Sequence, residues 1–263
     1  IVEIGGTVGE YQNILFLEAA RMMRLEEPEN VLIGLVSYLP VPASVGEMKS
    51  KPTQFAVRAM NSTGLQPDFI IGRAQQPLDE PRKRKLAIHC NVRPEDIVSS
   101  PNLPSVYGVP LKLHEEGLDE RVVAKLKLKT KPLHAEAWED LYGRVLHSKN
   151  ALKIGVVGKY VSTGDFVLTD AYLSVLEAVK HACWAVRRSP EIVWINAEEL
   201  EHQSPQGAKR LLGVVDGIIV PGGFGTRGVE GKIKAIQYAR EQHVPYLGLC
   251  YGLQLAMIEF ARH

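Results

Sequence analysis

The chain has 263 residues, 45% of them hydrophobic, and its 31 Lys and Arg nearly balance 30 Asp and Glu, which leaves a formal net charge of +1. This apolar fraction excludes wholesale disorder, and the length accommodates one large domain or two ordinary ones. The near-neutral charge gives no electrostatic basis for binding nucleic acid, and no apolar run is long enough to cross a bilayer.

The first part of the chain alternates strand-like and helix-like segments. Strands are predicted at Ile1–Ile4, Val31–Tyr38, Pro67–Ile71 and Lys85–Ile88. An amphipathic stretch between the first two strands carries Leu15, Leu17, Ala19, Ala20 and Met23. This βαβ rhythm predicts a parallel sheet covered by helices. We expect residues 1–125 to form one α/β domain.

The second part repeats this organisation after a polar segment. Residues 126–150 carry no strand pattern, and we interpret them as an interdomain connector with some helix. Strands are predicted at Leu152–Val157, Glu191–Ile195 and Val215–Val220, and helices at 170–187 and Glu230–Gln242; the first helix would bury Leu173, Leu176, Val179 and Cys183. The prediction is therefore two consecutive three-layer α/β domains with mostly parallel sheets, the second spanning 151–263.

A cysteine lies between two glycines at a predicted strand-to-helix junction, in the sequence Gly248-Leu249-Cys250-Tyr251-Gly252. A G-x-C-x-G there is the thiol counterpart of a nucleophile elbow, where small flanking residues allow a strained turn to expose the side chain. The following helix N-terminus favours the thiolate. The preceding glycine turn, Pro221–Gly225, offers backbone N–H groups for an oxyanion. We therefore predict acyl transfer by Cys250 on an amide or ester.

A dinucleotide-binding fold is the competing interpretation of the same region. Residues 223–228, Gly-Phe-Gly-Thr-Arg-Gly, follow a strand and match G-x-G-x-x-G. That fold expects an acidic residue at the end of the next strand, where this chain has Cys250. The lack of an acidic residue at that position disfavours dinucleotide binding.

Charged residues at predicted strand ends and loops are further candidates. Glu3 precedes a glycine-rich turn and is a possible Mg²⁺ ligand or a capping side chain. Lys49, Lys51 and Gln54 precede a helix whose N-terminus would add affinity for phosphate, as an alternative to a solvated loop. Arg73 and Lys85 are similar candidates, and the run Arg82–Lys85 is interpreted as solvated surface.

The cysteines and the two ends of the chain indicate the cellular compartment and the extent of the protein. Cys90, Cys183 and Cys250 follow no disulfide or zinc spacing, which fits a reducing cytoplasm. The chain has no initiator methionine, begins in a predicted strand and stops at His263 in a predicted helix. We expect it to be a piece of a longer protein.

Five segments in register resemble the CTP synthase family. They are Glu3–Gly9; Lys49–Gln54; Gly158-Lys159-Tyr160 with Asp170-Ala171-Tyr172; Pro221–Gly225 with Arg227–Gly231; and Gly248-Leu249-Cys250. The resemblance implies a P-loop-type amidoligase part followed by a class I glutamine amidotransferase part. It further implies a cytoplasmic ligase of pyrimidine biosynthesis that makes CTP from UTP, ATP and glutamine. The resemblance also implies that Mg²⁺ accompanies ATP, that GTP activates the enzyme, that CTP inhibits it by feedback, and that the full-length protein is a homotetramer.

The resemblance also assigns roles to residues. It implies that Cys250 is the catalytic nucleophile and that glutamine binds at Gly223, Tyr251, Gly252, Leu253 and Gln254. UTP and CTP would bind at Lys49, Ser50, Lys51, Pro52, Thr53, Gln54 and Lys85; allosteric CTP at Glu10, Tyr11 and Gln12; ATP at Pro101, Asn102 and Leu103; and Mg²⁺ at Glu3. Arg227–Gly231 resembles the lid segment that couples GTP binding to glutamine hydrolysis.

The chain departs from the family pattern in several places. Glu10-Tyr11-Gln12 replaces the usual Asp-Ile-Glu, and Asn102 replaces an acidic residue. No P-loop is present and no His-x-Glu follows Cys250, so we expect this chain alone to have neither synthase nor efficient glutaminase activity. Two alternatives stay open, namely another class I glutaminase joined to a different ligase, and a non-catalytic regulatory or assembly homologue.

Overall fold

The structure, a computed structural model, describes residues 1–159, 162–163, 166–167, 172–223 and 225–263. The chain divides into two compact units, Ile1–Tyr142 and Gly143–His263. This boundary lies within the segment 126–150 that was interpreted as a connector. None of the described helices combines the length and the apolar character needed to cross a membrane.

Unit 1 is built on a three-stranded parallel sheet. Its helices are α1 (Ile14–Glu26), α2 (Lys51–Ser62), α3 (Glu80–Cys90), α4 (Val109–Glu115) and α5 (Leu118–Lys125), with 3₁₀ turns at Pro94–Asp96 and Val106–Gly108; its strands are β1 (Gly34–Tyr38), β2 (Phe69–Ala74) and β3 (Ile97–Pro101). Helix α6 (Glu136–His147) crosses the unit boundary. The strand order is β1-β2-β3, with both pairs parallel. Helix residues Leu17, Val57 and Leu86 pack with strand residues Leu35 and Ile70 in its core.

The predicted strand Lys85–Ile88 is wrong, because these residues lie inside α3. The Asp79 carboxylate accepts a hydrogen bond from the Arg82 N–H at 3.0 Å and so caps the N-terminus of α3. Leu86 and Cys90 are four residues apart and both are buried, which is the spacing of a helix face. The short apolar run Leu86-Ala87-Ile88 has the composition of a strand, although it forms part of a helix.

The predicted strand Ile1–Ile4 is also wrong, because the structure gives these residues an irregular conformation. Ile1 and Val2 are exposed, and none of the described strands pairs with the segment. A strand needs a neighbour to satisfy its backbone groups. The third strand of the sheet is instead β3, whose sequence Ile-Val-Ser-Ser-Pro was not recognised as a strand.

Two predicted apolar faces are only partly buried. The amphipathic stretch lies in α1, where Leu17 is buried but Leu15 and Met23 are exposed. In unit 2, Leu173 was predicted to be buried and is also exposed, whereas Leu176 is buried as predicted. Hydrophobic spacing therefore located both helices better than it located their core residues.

Unit 2 is built on a four-stranded parallel sheet with the order β7-β4-β8-β9. Its strands are β4 (Lys149–Gly158), β5 (Ser162–Thr163), β6 (Phe166–Val167), β7 (Arg188–Asn196), β8 (Gly217–Val220) and β9 (Tyr246–Gly248), and its helices are α7 (Leu173–Ala185), α8 (Ala197–His202), α9 (Pro205–Leu212), α10 (Val229–Glu241) and α11 (Tyr251–Arg262). Strands β5 and β6 form a separate antiparallel pair.

Both faces of the four-stranded sheet are covered by helices. Ile219 of β8 packs with Val179 and Cys183 of α7, whereas Ile218 and Val220 of the same strand pack in a core with α10 and α11. Successive residues of a strand point to opposite faces, so this division follows from the pleat. The α/β fold predicted from the sequence is confirmed.

Candidate active site

Cys250 lies at the turn between β9 and α11, where the parallel strands β8 and β9 reach their carboxyl ends. Its backbone has φ 50° and ψ −105°, a region that non-glycine residues rarely adopt. The thiol is free and the residue is exposed. This combination of a strained backbone and an accessible sulfur fits the elbow predicted from the sequence.

Glycines flank Cys250 because the turn brings backbone segments close together. A Cβ on Gly248 would lie 2.6 Å from the Tyr246 hydroxyl and 2.7 Å from the Gly252 carbonyl carbon. That hydroxyl donates a hydrogen bond to the Gly252 carbonyl oxygen at 2.8 Å. A side chain at position 248 would therefore push strand β9 away from the first turn of α11.

The glycine turn that follows β8 lies directly beside Cys250. A Cβ placed on Gly222 would be 3.4 Å from the Cys250 Cβ and 3.9 Å from its Sγ. The Leu249 N–H donates to the Val220 carbonyl at 3.0 Å, which joins the two turns at their strand ends. The structure thus brings together the two glycine-rich motifs that were singled out in the sequence.

Backbone N–H groups near the thiol are available to an anion. Tyr251 is the first residue of α11, where helix geometry leaves the N–H without an acceptor in its own helix. The N-terminus of α11 also favours negative charge. Gly252 is buried, whereas Leu253 and Gln254 are exposed. The Gln254 N–H donates to the Cys250 carbonyl at 3.3 Å, one helical turn from the thiol.

The other two cysteines contrast with Cys250. Cys90 and Cys183 are both buried. Burial raises the pKa of the Cys90 thiol to about 11 and also raises the pKa of Cys183. A buried thiol with a raised pKa is a poor nucleophile at neutral pH. Of the three, only Cys250 combines access with an elbow.

Two lysines beneath the glycine turn were missed by the sequence analysis as site residues. Lys232 of α10 is fully buried and its Nζ donates to the Pro221 carbonyl at 3.3 Å. Lys159 follows β4, is also buried, and its Nζ donates to the Gly225 carbonyl at 2.7 Å. The available signal was the spacing of Lys232 with Ala235, Ile236 and Ala239, which places a charge on the apolar stripe of α10.

The candidate nucleotide residues of unit 1 cluster at the start of α2. Lys49 forms an ion pair with Glu47 at 2.6 Å. The hydrogen bond from Lys49 is the main cause that lowers the pKa of Glu47, and the charges of Arg82 and Lys85 add to it. Lys85 of α3 is thus near enough to Lys49 to act on the same carboxylate. Lys51, the first residue of α2, is exposed.

The remaining residues of this segment organise the helix start. Thr53 is fully buried and its Oγ1 accepts a hydrogen bond from the Ser37 Oγ at 2.9 Å, so its side chain belongs to the core. Ser50 is buried, and its Oγ accepts a hydrogen bond from the Gln54 Nε2 at 3.2 Å. Pro52 occupies the first turn, where a missing N–H costs nothing. Lys51 and Lys85 are exposed and Lys49 is half-buried, so these three lysines offer the accessible charges.

The loop that holds the allosteric candidates is tied together by one amide. Asn13 is buried, and its Nδ2 donates to the carbonyls of Thr7 at 2.7 Å and Gly5 at 3.3 Å. Glu10, Tyr11 and Gln12 precede it in a turn and are exposed. This arrangement leaves all three side chains accessible at the start of α1.

The residues described in the structure do not form a complete metal site. Glu3 is exposed in an irregular segment, and no group of three or more His, Cys, Asp or Glu in the described ranges could hold a metal ion. Mg²⁺ is often bound by few protein ligands, with waters and phosphates completing its shell. Glu3 as a Mg²⁺ ligand therefore stays a prediction.

The adenine candidates lie at the carboxyl end of β3. Pro101 ends the strand, and the Asn102 N–H donates to the Ala74 carbonyl at 2.9 Å. Asn102 is exposed and Leu103 is half-buried. Arg73 donates to the Ser100 and Pro101 carbonyls at 3.0 and 3.2 Å, so it ties β2 to the end of β3.

The predicted lid segment lies at the start of α10. Arg227 forms an ion pair with Glu198 at 2.7 Å, and Gly228 caps α10 with φ 66°. Four residues of the quoted motifs, Tyr160, Asp170, Ala171 and Phe224, lie outside the described residues.

Comparison with known proteins assigns the two parts separately. A family model described as CTP synthase N-terminus matches residues 1–128, and one described as glutamine amidotransferase class-I matches residues 167–263. CTP synthases of Bdellovibrio bacteriovorus, Pyrococcus abyssi and Carboxydothermus hydrogenoformans are 45%, 46% and 47% identical across the whole chain. The chain belongs to the CTP synthase family.

The chain spans about half the length of these CTP synthases, namely 48% of each. A solved structure titled as the glutaminase domain of Trypanosoma brucei CTPS with bound acivicin is 41% identical, covers 43% of this chain and 41% of its own, and superposes with a TM-score of 0.38. The CTP synthase match at 1–128 disfavours the alternative of a glutaminase joined to a different ligase.

Proposed function

We propose that the protein to which this chain belongs is a glutamine-hydrolysing CTP synthase, and that Cys250 is its nucleophile. One observation carries the proposal: an exposed thiol at a strained elbow lies 3.9 Å from the position of a Gly222 Cβ, in a family member. The thiolate attacks the side-chain amide carbon of glutamine, and the carbonyl electrons move to oxygen. When this intermediate collapses, the amide C–N bond breaks and the nitrogen takes up the proton that the thiol lost, so that it leaves as ammonia. Water then cleaves the thioester to glutamate.

The backbone around Cys250 would stabilise the charge that develops on the amide oxygen. The N–H groups of Tyr251, Gly222 and Gly223 belong to the backbone beside the thiol, so they would need little reorganisation in the transition state. Leu253 and Gln254 are exposed in the first turn of α11 and would contact the amino acid.

Unit 1 would hold the nucleotides of the synthase reaction. Lys49, Lys51 and Lys85 supply positive charge near the N-terminus of α2, which suits the phosphates of UTP or of CTP as inhibitor. ATP phosphorylates the uracil 4-oxygen, ammonia attacks C4, and phosphate leaves. Pro101–Leu103 would contact ATP, Glu10–Gln12 allosteric CTP, and Arg227–Gly231 would respond to GTP. Mg²⁺ with ATP, a cytoplasmic location and a homotetramer belong to the same proposal.

Affinity labelling tests the nucleophile directly, with two internal controls. Incubating the full-length protein with 6-diazo-5-oxo-norleucine, a glutamine analogue that alkylates thiolates with loss of N₂, should modify Cys250 and spare Cys90 and Cys183. The two buried thiols have raised pKa values and no elbow. Peptide mass spectrometry locates the label, and excess glutamine should slow labelling at Cys250.

Product formation tests the whole reaction. The full-length protein should convert UTP to CTP with ATP and either glutamine or ammonia, measured by nucleotide chromatography. A protein that makes no CTP from either nitrogen source, or that is labelled equally at all three cysteines, contradicts the proposal and supports the non-catalytic alternative.

A further inference from the structure

Lys232 is a lysine in a position that ordinarily belongs to an apolar side chain. It lies in the first turns of α10, is fully buried, and shares a helix face with the buried residues Ala235, Ile236 and Ala239. In the described part of the chain its ammonium group donates to the Pro221 carbonyl, and the neighbouring charge that acts on it is the cationic Lys159 rather than a carboxylate. Burial, and secondarily the charge of Lys159, lowers the pKa of Lys232 to about 8. Since an apolar residue of similar length avoids this desolvation, packing alone does not account for the lysine.

The ammonium of Lys232 lies near both the Pro221–Gly225 turn and the first residue of α11. Its Nζ donates to the Pro221 carbonyl at 3.3 Å, and a Cβ on Gly223 would lie 3.9 Å from it. The same Nζ is 5.8 Å from the ring centroid of Tyr251, the residue after the nucleophile. Within this distance a cation is attracted by the face of an aromatic ring.

Lys159 supplies an independent second contact to the same turn. Its Nζ donates to the Gly225 carbonyl at 2.7 Å and lies 5.6 Å from the Tyr251 ring centroid. The two lysines therefore hold carbonyls on either side of Gly223, and both ammonium groups approach one ring. Two like charges at one turn repel each other, so the fold maintains this arrangement at an energetic cost.

The carbonyl that Lys232 holds determines where a neighbouring N–H points. The Pro221 C=O and the Gly222 N–H belong to one planar peptide unit, and the structure has no cis peptide bond among its described residues. In a trans unit the C=O and N–H point in opposite directions. Fixing the carbonyl toward Lys232 therefore fixes the Gly222 N–H on the opposite side, and Gly222 is the residue beside Cys250.

We propose that Lys232 is a positioning residue for glutamine hydrolysis: by holding the Pro221 carbonyl, it orients the Gly222 N–H for the oxyanion that forms at Cys250. The inference rests on the proposed glutaminase function and adds to it a residue that touches neither glutamine nor sulfur. Loss of the hydrogen bond would release the peptide unit and weaken the oxyanion site. The thiol itself would stay exposed and reactive.

The test compares Lys232→Met with Lys234→Met in the full-length enzyme. Methionine is unbranched and one heavy atom shorter than lysine, so it fills most of the same buried space and lacks the donor. Lys234 lies on the same helix and also donates to backbone carbonyls, those of Glu201 and Gln203, away from the glycine turn. We expect Lys232→Met to lower the glutamine-dependent kcat about 30-fold with KM changed less than threefold, since one oxyanion donor is worth on the order of 100-fold. Ammonia-dependent synthesis should stay within twofold in both variants.

Two probes of Cys250 separate positioning from a general loss of structure. Iodoacetamide alkylates the thiolate without forming an oxyanion, so its rate should be unchanged in Lys232→Met. Glutamate γ-semialdehyde forms a tetrahedral thiohemiacetal that needs the oxyanion donors, so its inhibition constant should rise about 30-fold, in step with the fall in kcat. Lys234→Met should resemble wild type with both probes.

Several outcomes would overturn the inference. A Lys232→Met kcat within twofold of wild type, an equal loss in Lys234→Met, or a parallel fall in the iodoacetamide rate each contradicts positioning of the oxyanion donor. Absence of glutamine-dependent CTP synthesis in the wild-type enzyme would instead contradict the proposed function, so the two failures are distinguishable.

Discussion

Replacing Cys250 by alanine in the full-length protein should abolish glutamine-dependent CTP synthesis and leave ammonia-dependent synthesis intact. Of the three cysteines only Cys250 is exposed, so the substitution would remove the thioester route to ammonia. Removal of a catalytic nucleophile commonly costs 10⁴-fold or more in kcat. Supplied ammonia bypasses that step, so the rate with ammonium salts should stay within about twofold. Parallel assays of CTP formation with each nitrogen source measure both effects.

Cys183→Ala is the matched control for this experiment. Cys183 lies in the same unit but is buried in α7, so its loss should cost about 1 kcal/mol of stability and spare both activities. A Cys250→Ala enzyme that still uses glutamine would remove Cys250 from the mechanism. Equal loss with both nitrogen sources would show that the substitution disrupts more than glutamine hydrolysis.

Gly252→Ala should destabilise unit 2 by about 3 kcal/mol or more. A Cβ at this position would overlap the Val220 carbonyl oxygen and lie 3.0 Å from its carbonyl carbon. Both obstacles are backbone atoms at the end of β8, so relief requires α11 to shift away from the sheet, and overpacking of this kind is among the more damaging point changes. Urea unfolding of the chain, followed by circular dichroism, measures the loss.

Gly143→Ala makes the same chemical change where the structure leaves room. Gly143 lies inside α6, with no described heavy atom within 4 Å of its added Cβ apart from its own helix and chain neighbours. Alanine should stabilise the helix there by about 0.5–1 kcal/mol. Equal tolerance of alanine at 252 and 143 would contradict the close approach of α11 to β8.

Much of the elbow could be predicted from the sequence because its constraints are local. Glycines at 248 and 252 around Cys250 reflect backbone contacts within a few residues and with the adjoining strand. The pairing of Pro221–Gly225 with that elbow was also accessible, since carboxyl ends of neighbouring parallel strands meet at one edge. Local turn chemistry and sheet topology were sufficient for this part.

The errors arose where tertiary contacts decide the outcome. Lys85–Ile88 is apolar enough for a strand, but the Asp79 cap and the burial of Leu86 with Cys90 make it helical. β3 was not predicted because it contains two polar residues, Ser99 and Ser100. In the structure Ser99 is buried, and its Oγ accepts a hydrogen bond from the Leu78 N–H. Lys232 was missed for a similar reason, since only the fold shows that its ammonium reaches a carbonyl.

The position of β9 at the edge of the four-stranded sheet leaves room beside Cys250 for a further strand. One side of β9 pairs with β8, and no described strand pairs with its other side. An edge strand of this kind is a template on which another segment can pair through main-chain hydrogen bonds. A strand docking there in parallel would deliver its last residues next to Cys250. The open edge of β9 thus gives an additional segment access to the side of the sheet where the exposed thiol lies.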